Sequence, residues 1–304
     1  KRCRPAFVPG DGVFAGNEGS PPNSMDAGKR KDWSAAGAKI LVVKEFAGRG
    51  AFAAFSSRLG GVSRGPFESL NLGNSVGDDP ACVAENKALF WAATGLDARR
   101  AVRAQQVHSD VVAAVDAGHA GCVVRGADAL VTREPGLPLV TGHADCVPIF
   151  FLDPVTRSGG LAHAGWRGTI RGIARRVVER LSSEYGVRAS DLLAVIGPSA
   201  GPCCYEVGED VQRAARDHLP WALDVLEEMP LRASGRRWKF NMWEANRRLL
   251  MDAGLEPRNV VCWDLCTACS PDLFFSYRRD GPRSGRMEAV FALEPDPRGV
   301  AGQG

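Results

Sequence analysis

The chain has 304 residues, 45% of them apolar and 24% charged, with a formal net charge of +3, as expected of a globular protein large enough for one substantial core. No stretch approaches the roughly 18 uninterrupted apolar residues of a membrane helix, and the charges are interspersed rather than blocked, so neither a membrane nor a nucleic acid is an expected partner. Nine cysteines scattered through a chain of this size fit reduced thiols and a cytoplasmic location better than a disulfide framework.

Residues 1–38 are rich in Gly, Pro, Ser and Asn, show no apolar period, and read as a flexible extension in which Met25 is a candidate start. Their opening, "KRCRPAFVPGDGVF", is basic but has no continuous apolar segment, so a secretory signal is not expected. Residues 39–294 form the expected domain, and 295–304 a Pro/Gly tail. "AFAAFSSRLGGVS" reads as a strand entering a Gly-rich turn, and "PACVAENKALFWAATGL" as a helix closed by Gly95. Short apolar runs typical of buried strands follow: "VVAAV" at 111–115, "ADALVT" at 127–132, "CVPIFFL" at 146–152, and a run into "GGLAHAG".

"TIRGIARRVVERLSSEY" at 169–185 predicts an amphipathic helix with Thr169 as N-cap and Gly186 as its stop. "LLAVIGPS" is a further strand, "GEDVQRAARDHL" a helix ended by Pro220, and "NMWEANRRLLMDAG" a helix from Asn241 to Gly254. The apolar run "VVCWDLC", an arginine-rich loop and the strand "MEAVFAL" complete the order. Strands and helices mix without regular βαβ alternation, which predicts a single α/β (α+β) domain with mixed β-sheets flanked by helices. Neither a GxGxxG turn after a strand nor a Walker A loop is present, which disfavours dinucleotide and P-loop nucleotide binding.

Only five histidines are available for chemistry. His108 lies in "QQVHSD", His143 in "TGHADCVP" and His163 in "LAHAGWRG"; His119 and His218 fall in a polar loop and near a helix end and read as surface residues. If "TGHADCVPI" is one strand, alternation sends His143 and Asp145 to one face and Cys146 to the other, so His143 and Cys146 would not share a ligand shell. Cys146 and His163 stand at the ends of apolar runs that one sheet can bring together, with His108 joining from a third segment. A His₂Cys set leaves zinc one open position, as catalytic zinc requires. Spacing alone favours three separate structural roles over a joint site, since zinc spacing is persuasive only in tight motifs. Cys203 and Cys204 are adjacent and cannot easily form an unstrained disulfide, and Cys266-x-x-Cys269 has knuckle spacing without a second such pair, so all four read as structural or site-lining.

Taken together, "SSRLGGVSRGPFESLNLGNSVGDD", "QQVHSD", "ADCVPIFF", "LAHAGWRGT", "IGPSAGPCCYEVG" and "CTACSPDLFFSYRRDGPRSGRM" resemble, in order, the laccase-domain family, also described as multicopper-polyphenol-oxidase-like proteins, peptidoglycan-editing factors and purine nucleoside enzymes. The resemblance implies a fold like the cysteine-hydrolase-like sandwich of toxin deamidases, and zinc held by His108, Cys146 and His163, which would also be the catalytic residues. His143 stands where the family usually has an uncharged residue such as Thr, and is left out of the site. The implied substrates are purine nucleosides: adenosine, inosine, guanosine or methylthioadenosine for phosphorolysis, with inorganic phosphate as co-substrate, and adenosine for deamination.

Gly165 and Gly168 would let the backbone turn closely beside an anion, Arg167 offers it a fixed positive fork, and Trp166 and Arg167 could instead merely pack the turn. By likeness Arg58 becomes a second phosphate or substrate candidate, and Asn71 either reads the nucleoside or closes a turn. The H-x-E and P-C-x-x-C pair of cytidine-deaminase-like enzymes is absent, so no general acid/base is assigned; Asp145 is expected to support a turn or orient a ligand. Three other readings stay open. One is a copper-dependent polyphenol oxidase, for which five scattered histidines are too few. Another is an amidase on peptidoglycan precursors using Cys146 as nucleophile and His163 as base. The last is a binding protein whose structural zinc is closed by Cys203 or Cys204.

Overall fold

The structure, a computed structural model, describes residues 14–15, 37–231, 233 and 235–295. The extension expected over 1–38, Met25 as a start and the tail over 295–304 fall almost wholly outside these residues; Phe14–Ala15 pairs antiparallel with Leu41 and Ile40.

The strand Val147–Asp153 shows why the fold is layered. All of its residues are buried, and alternation sends Val147, Ile149 and Phe151 to one face and Phe150 and Leu152 to the other. A strand apolar on both faces must be covered twice. It lies inside a six-stranded mixed sheet ordered Val260–Cys262, Leu193–Ile196, Val147–Asp153, Ser158–Ala164, Ala129–Thr132, Val112–Ala114. Helices Ile173–Tyr185, Glu209–His218 and Met242–Asp252 cover one face through Ile173, Val177, Leu181, Val211 and Leu249.

The other face packs on a seven-stranded mixed sheet ordered Phe14–Ala15, Ile40–Val42, Ala51–Ser56, Met287–Leu293, Leu139–His143, Val102–Gln105, Val123–Arg125. Met287, Ala289 and Phe291 meet Phe150, Leu152 and Leu161 between the sheets, while Val290 points outward to Phe90 and Trp91 of the helix Pro80–Thr94. Helices thus flank two mixed sheets packed face to face, with a small third sheet of Glu206–Val207, Trp238–Phe240 and Leu226–Glu228 at the side. No described helix is long and apolar enough to cross a membrane.

Two local expectations are corrected. The helix read from Thr169 is two helices, Trp166–Ile170 and Ile173–Tyr185, broken at Gly172, whose φ of +84° a helix cannot continue through. Thr169 is therefore no N-cap: it sits buried inside the first helix, its N–H donating to the Gly165 carbonyl at 2.8 Å.

"TGHADCVPI" is likewise not one strand. Leu139–His143 belongs to the seven-stranded sheet and Val147–Asp153 to the six-stranded sheet, and Ala144, Asp145 and Cys146 cross between them, Asp145 with a φ of +81°. The period-two assignment of faces fails because the backbone turns at those residues. The crossing carries Cys146 to the end of the neighbouring strand, where Val147 pairs with Ala164 and Pro148 with His163.

Candidate metal centre

His163 is the penultimate residue of Ser158–Ala164, Cys146 lies in the crossing just described, and His108 lies in the loop after Val102–Gln105. Their ligand atoms all lie within 4.8 Å of one another. Cys146 Sγ is 3.8 Å from His108 Nε2, and the two imidazoles stand edge-on with centroids 5.0 Å apart. Burial is graded across the group: His163 is buried, Cys146 half-buried and His108 exposed. Such a site is anchored at one end and accessible at the other.

Asp128, at the head of a strand and fully buried, organises the group, a role that the sequence expectations above do not include. Its Oδ1 accepts the Nδ1–H of His163 at 2.8 Å, which leaves Nε2 of that ring for a ligand. The same carboxylate accepts the backbone N–H groups of Val107, His108 and Ser109 at 3.0, 3.0 and 2.8 Å and the Ser109 hydroxyl at 2.8 Å. These bonds hold His108 in a left-handed conformation, φ +59°, that a non-glycine residue rarely adopts. Burial alone would raise the Asp128 carboxyl, but the bonds from His163, Ser109 and Val107 keep it well below the usual carboxylate range. The available signal was a lone acid inside "ADALVT", an apolar run where a charge needs a partner.

The glycines of "HAGWRG" have a steric cause. A Cβ on Gly165 would stand 2.7 Å from His108 Cδ2 and 3.3 Å from Cys146 Sγ, and one on Gly168 would stand 2.8 Å from the Ser109 carbonyl oxygen. Only glycine lets this turn lie against both other ligand segments.

His143, outside the ligand set, braces it. It is buried; its Nδ1 donates to the Cys146 carbonyl at 3.0 Å, so its Nε2 accepts the Thr141 hydroxyl at 2.7 Å. Burial and the neighbouring His163 charge push its pKa well below the ordinary value, in keeping with this neutral tautomer.

Burial disfavours charge on both Cys146 and His163, yet each stabilises the other. The His163 charge and hydrogen bonds from His108 and His163 bring Cys146 down to about 6. The Cys146 thiolate and Asp128 raise His163 to about 9. Without a metal this is a thiolate–imidazolium pair; a borderline-soft cation such as zinc takes the same thiolate and imidazole donors.

The other polar candidates stand outside the three-donor ligand set. Arg167 is exposed and stacks over the Trp166 ring at 4.1 Å. Arg58 stacks over Phe275 at 4.6 Å and donates to the carbonyls of Pro271 and Glu68. Asn71 is fully buried, its Oδ1 accepting from the N–H groups of Gly73 and Arg286 and its Nδ2 donating to Asp78. His119 pairs with Asp116 on the surface, and His218 meets the Ala214 carbonyl of its own helix. Asp145 is buried as a pin between loops, accepting the Thr267 hydroxyl at 2.6 Å and the Arg278 N–H at 2.5 Å.

The reading that no partner pair completes the Cys266-x-x-Cys269 knuckle is overturned. The sulfurs of Cys203, Cys204, Cys266 and Cys269 all lie within 4.8 Å of one another, because two loops distant in sequence run side by side.

Comparison with known proteins places this geometry in context. Residues 52–294 match the family model described as multi-copper polyphenol oxidoreductase laccase. The chain is 36% identical over 249 residues to purine nucleoside phosphorylase YlmD of Bacillus subtilis, covering 80% of this chain and 88% of that protein. It is 42% identical over 255 residues to a purine nucleoside phosphorylase of Streptomyces coelicolor, covering 81% and 96%. Among solved structures, YlmD from Geobacillus stearothermophilus superposes with a TM-score of 0.77 at 37% identity, over 86% of this chain and 97% of that one.

Proposed function

This chain belongs to the laccase-like family, and we propose that it is a zinc-dependent purine nucleoside enzyme that phosphorolyses adenosine, inosine, guanosine or methylthioadenosine and deaminates adenosine to inosine. The observation that carries the reading is the meeting of His108, Cys146 and His163, three donors with one exposed, locked by a single buried carboxylate. Three protein ligands leave a tetrahedral ion one position for water or substrate. The relatives named purine nucleoside phosphorylases supply the substrate class.

His108, Cys146 and His163 would hold Zn²⁺, which would supply Lewis-acid activation of water for attack at C6 of adenine as the bond to the exocyclic nitrogen breaks and ammonia leaves. Asp128 fixes the His163 ring through Nδ1, which would leave Nε2 as the metal ligand, and Gly165 makes room for the exposed His108 beside Cys146. Arg167, exposed four residues beyond His163 and held by stacking on Trp166, binds the phosphate co-substrate. A phosphate oxygen then bonds to the anomeric carbon as the bond to the purine nitrogen breaks, giving free base and ribose 1-phosphate. Arg58 is the second candidate for phosphate or substrate, while Asn71, bound to Asp78 and to the backbone of Gly73 and Arg286, closes a turn in the loops around the site.

The copper-oxidase description suits these residues poorly. Only two of the five histidines, His108 and His163, join the ligand set, and His119, His143 and His218 are engaged elsewhere. A trinuclear copper cluster needs many more.

A second reading is favoured by one observation. Cys146, His163 and Asp128 also form a nucleophile–base–orienter series, with the thiol already lowered to about 6, as in a cysteine amidase of cysteine-hydrolase-like fold.

The two are separated by incubating metal-quantified protein with adenosine, with and without phosphate, beside His163→Ala, and resolving products by chromatography. Inosine without phosphate, purine base only with phosphate, and loss of both in the variant are expected. No turnover by the zinc-loaded protein, with hydrolysis of muropeptide amides by metal-stripped protein, would install the amidase instead.

A further inference from the structure

The four thiols that meet away from the triad are arranged as a metal site. Cys203 and Cys204 occupy a tight turn closed by the N–H groups of Cys204 and Tyr205 on the Gly201 carbonyl, both at 3.0 Å. Cys266 and Cys269 form a Cys-x-x-Cys loop after the strand Val260–Cys262. Three bonds lace the loops together: Ser199 N–H to the Leu265 carbonyl at 3.1 Å, Thr267 N–H to the Ser199 carbonyl at 3.0 Å, and Gly201 N–H to Cys266 Sγ at 3.3 Å. Cys269 Sγ lies 3.4 Å from Cys203 Sγ and 3.3 Å from Cys204 Sγ, and no pair of the four exceeds 4.8 Å. Sulfurs around a tetrahedral zinc ion with bonds of about 2.3 Å stand about 3.8 Å apart, inside that span.

Four sulfurs brought this close gain little from one another, since thiols are weak donors and weak acceptors. A disulfide uses only two of them, and one between Cys203 and Cys204 would be strained. A soft or borderline cation uses all four. We propose that Cys203, Cys204, Cys266 and Cys269 bind a second zinc ion in a tetrathiolate site, separate from the His108, Cys146 and His163 set.

With four protein ligands the ion has no position for substrate, so its role is structural. What it would hold is specific. Thr267, between the two cysteines of the knuckle, donates to Asp145 Oδ1 at 2.6 Å, and Ala200 N–H donates to the Asp145 carbonyl at 2.9 Å. Asp145 immediately precedes Cys146. Tyr205, next after Cys204, lies under the Arg278 guanidinium at 4.8 Å. Clamping the two loops therefore fixes the crossing that presents Cys146. The proposal does not depend on which substrate the triad serves.

The test is metal stoichiometry on the full chain purified in reductant, with cobalt replacing zinc as a spectroscopic probe. Wild type is expected to hold two zinc ions, Cys203→Ser/Cys269→Ser one, and His108→Ala/His163→Ala one. The cobalt form of the histidine variant keeps intense tetrathiolate ligand-field and charge-transfer bands that the cysteine variant loses. Should the cysteine variant fail to fold, titration of wild type with a mercurial beside a metallochromic dye decides: release of two ions per chain supports the site. A single ion that the cysteine variant keeps and the histidine variant loses, or a disulfide from Cys269 to Cys203 or Cys204 found by peptide mapping of the freshly purified protein, overturns it; a single ion lost only by the cysteine variant keeps this site and removes zinc from the triad instead.

Discussion

The triad and the four-thiol cluster both gather soft donors from segments far apart in sequence, and they differ in what remains after the donors are counted. The triad draws three donors from three segments, runs from buried His163 to exposed His108, and rests on a carboxylate that also sets the backbone of one ligand. The cluster draws four thiols from two loops laced by backbone bonds, with no acid or histidine among them. Around a four-coordinate metal, three donors would leave a ligand position open and four would leave none. Donor count and the buried carboxylate together are why we propose the triad, and not the cluster, as the site of chemistry.

That contrast breaks most readily at Asp128. Asp128→Asn keeps shape but removes the charge on which His163 and the His108 loop depend, and triad zinc affinity is expected to fall about 10- to 100-fold, with the cluster's ion retained. Competition against a chelator of known affinity measures it; equal weakening at both sites would show that the triad has no support of its own. The thiol chemistry sharpens the same contrast. In metal-stripped protein Cys146 is lowered to about 6 from an ordinary 9.0, so its thiolate persists above about pH 6 and is lost as pH falls through that value. Iodoacetamide labelling of Cys146, followed by peptide mass spectrometry against pH, should show a midpoint near 6, and zinc should protect it. A midpoint near 9 would remove the thiolate–imidazolium pair. Gly165→Ala, whose Cβ would meet His108 Cδ2 at 2.7 Å, is expected to cost about 1–3 kcal/mol as overpacking and to release triad metal selectively. Unchanged melting temperature and metal content would mean that the His108 loop yields freely.

How far the sequence disclosed this follows from where each signal resides. Buried strands such as Val147–Asp153, and helices ending at Gly95 or Gly186, carry local patterns that short windows detect. Val102–Gln105 and Trp238–Phe240 do not, because short strands of mixed polarity owe their place to neighbours in the sheet. His108, Cys146 and His163 were named through family likeness, since no local spacing brings three segments together. The role of Asp128 and the completion of the cysteine cluster escape local reading for the same reason: their partners are 35 and more than 60 residues away. The crossing at Ala144–Cys146 is not legible in the sequence, because an apolar run bears no mark of the point where it leaves one sheet for another.

The smallest effect tests whether the two regions communicate. Thr267 Oγ1 reaches Asp145 Oδ1 from the middle of the Cys266–Cys269 loop, and Asp145 is the residue before Cys146. Thr267→Val keeps the shape and deletes the donor, at an expected cost of about 1 kcal/mol in stability. Both ions should stay, since no ligand is touched, while turnover of adenosine drops as the crossing loosens. Thr267→Ser, which keeps the hydroxyl, should restore it. Equal turnover in all three proteins would make the cluster a staple for its own loops alone; a loss repaired only by the hydroxyl would tie the placement of Cys146 to this single bond.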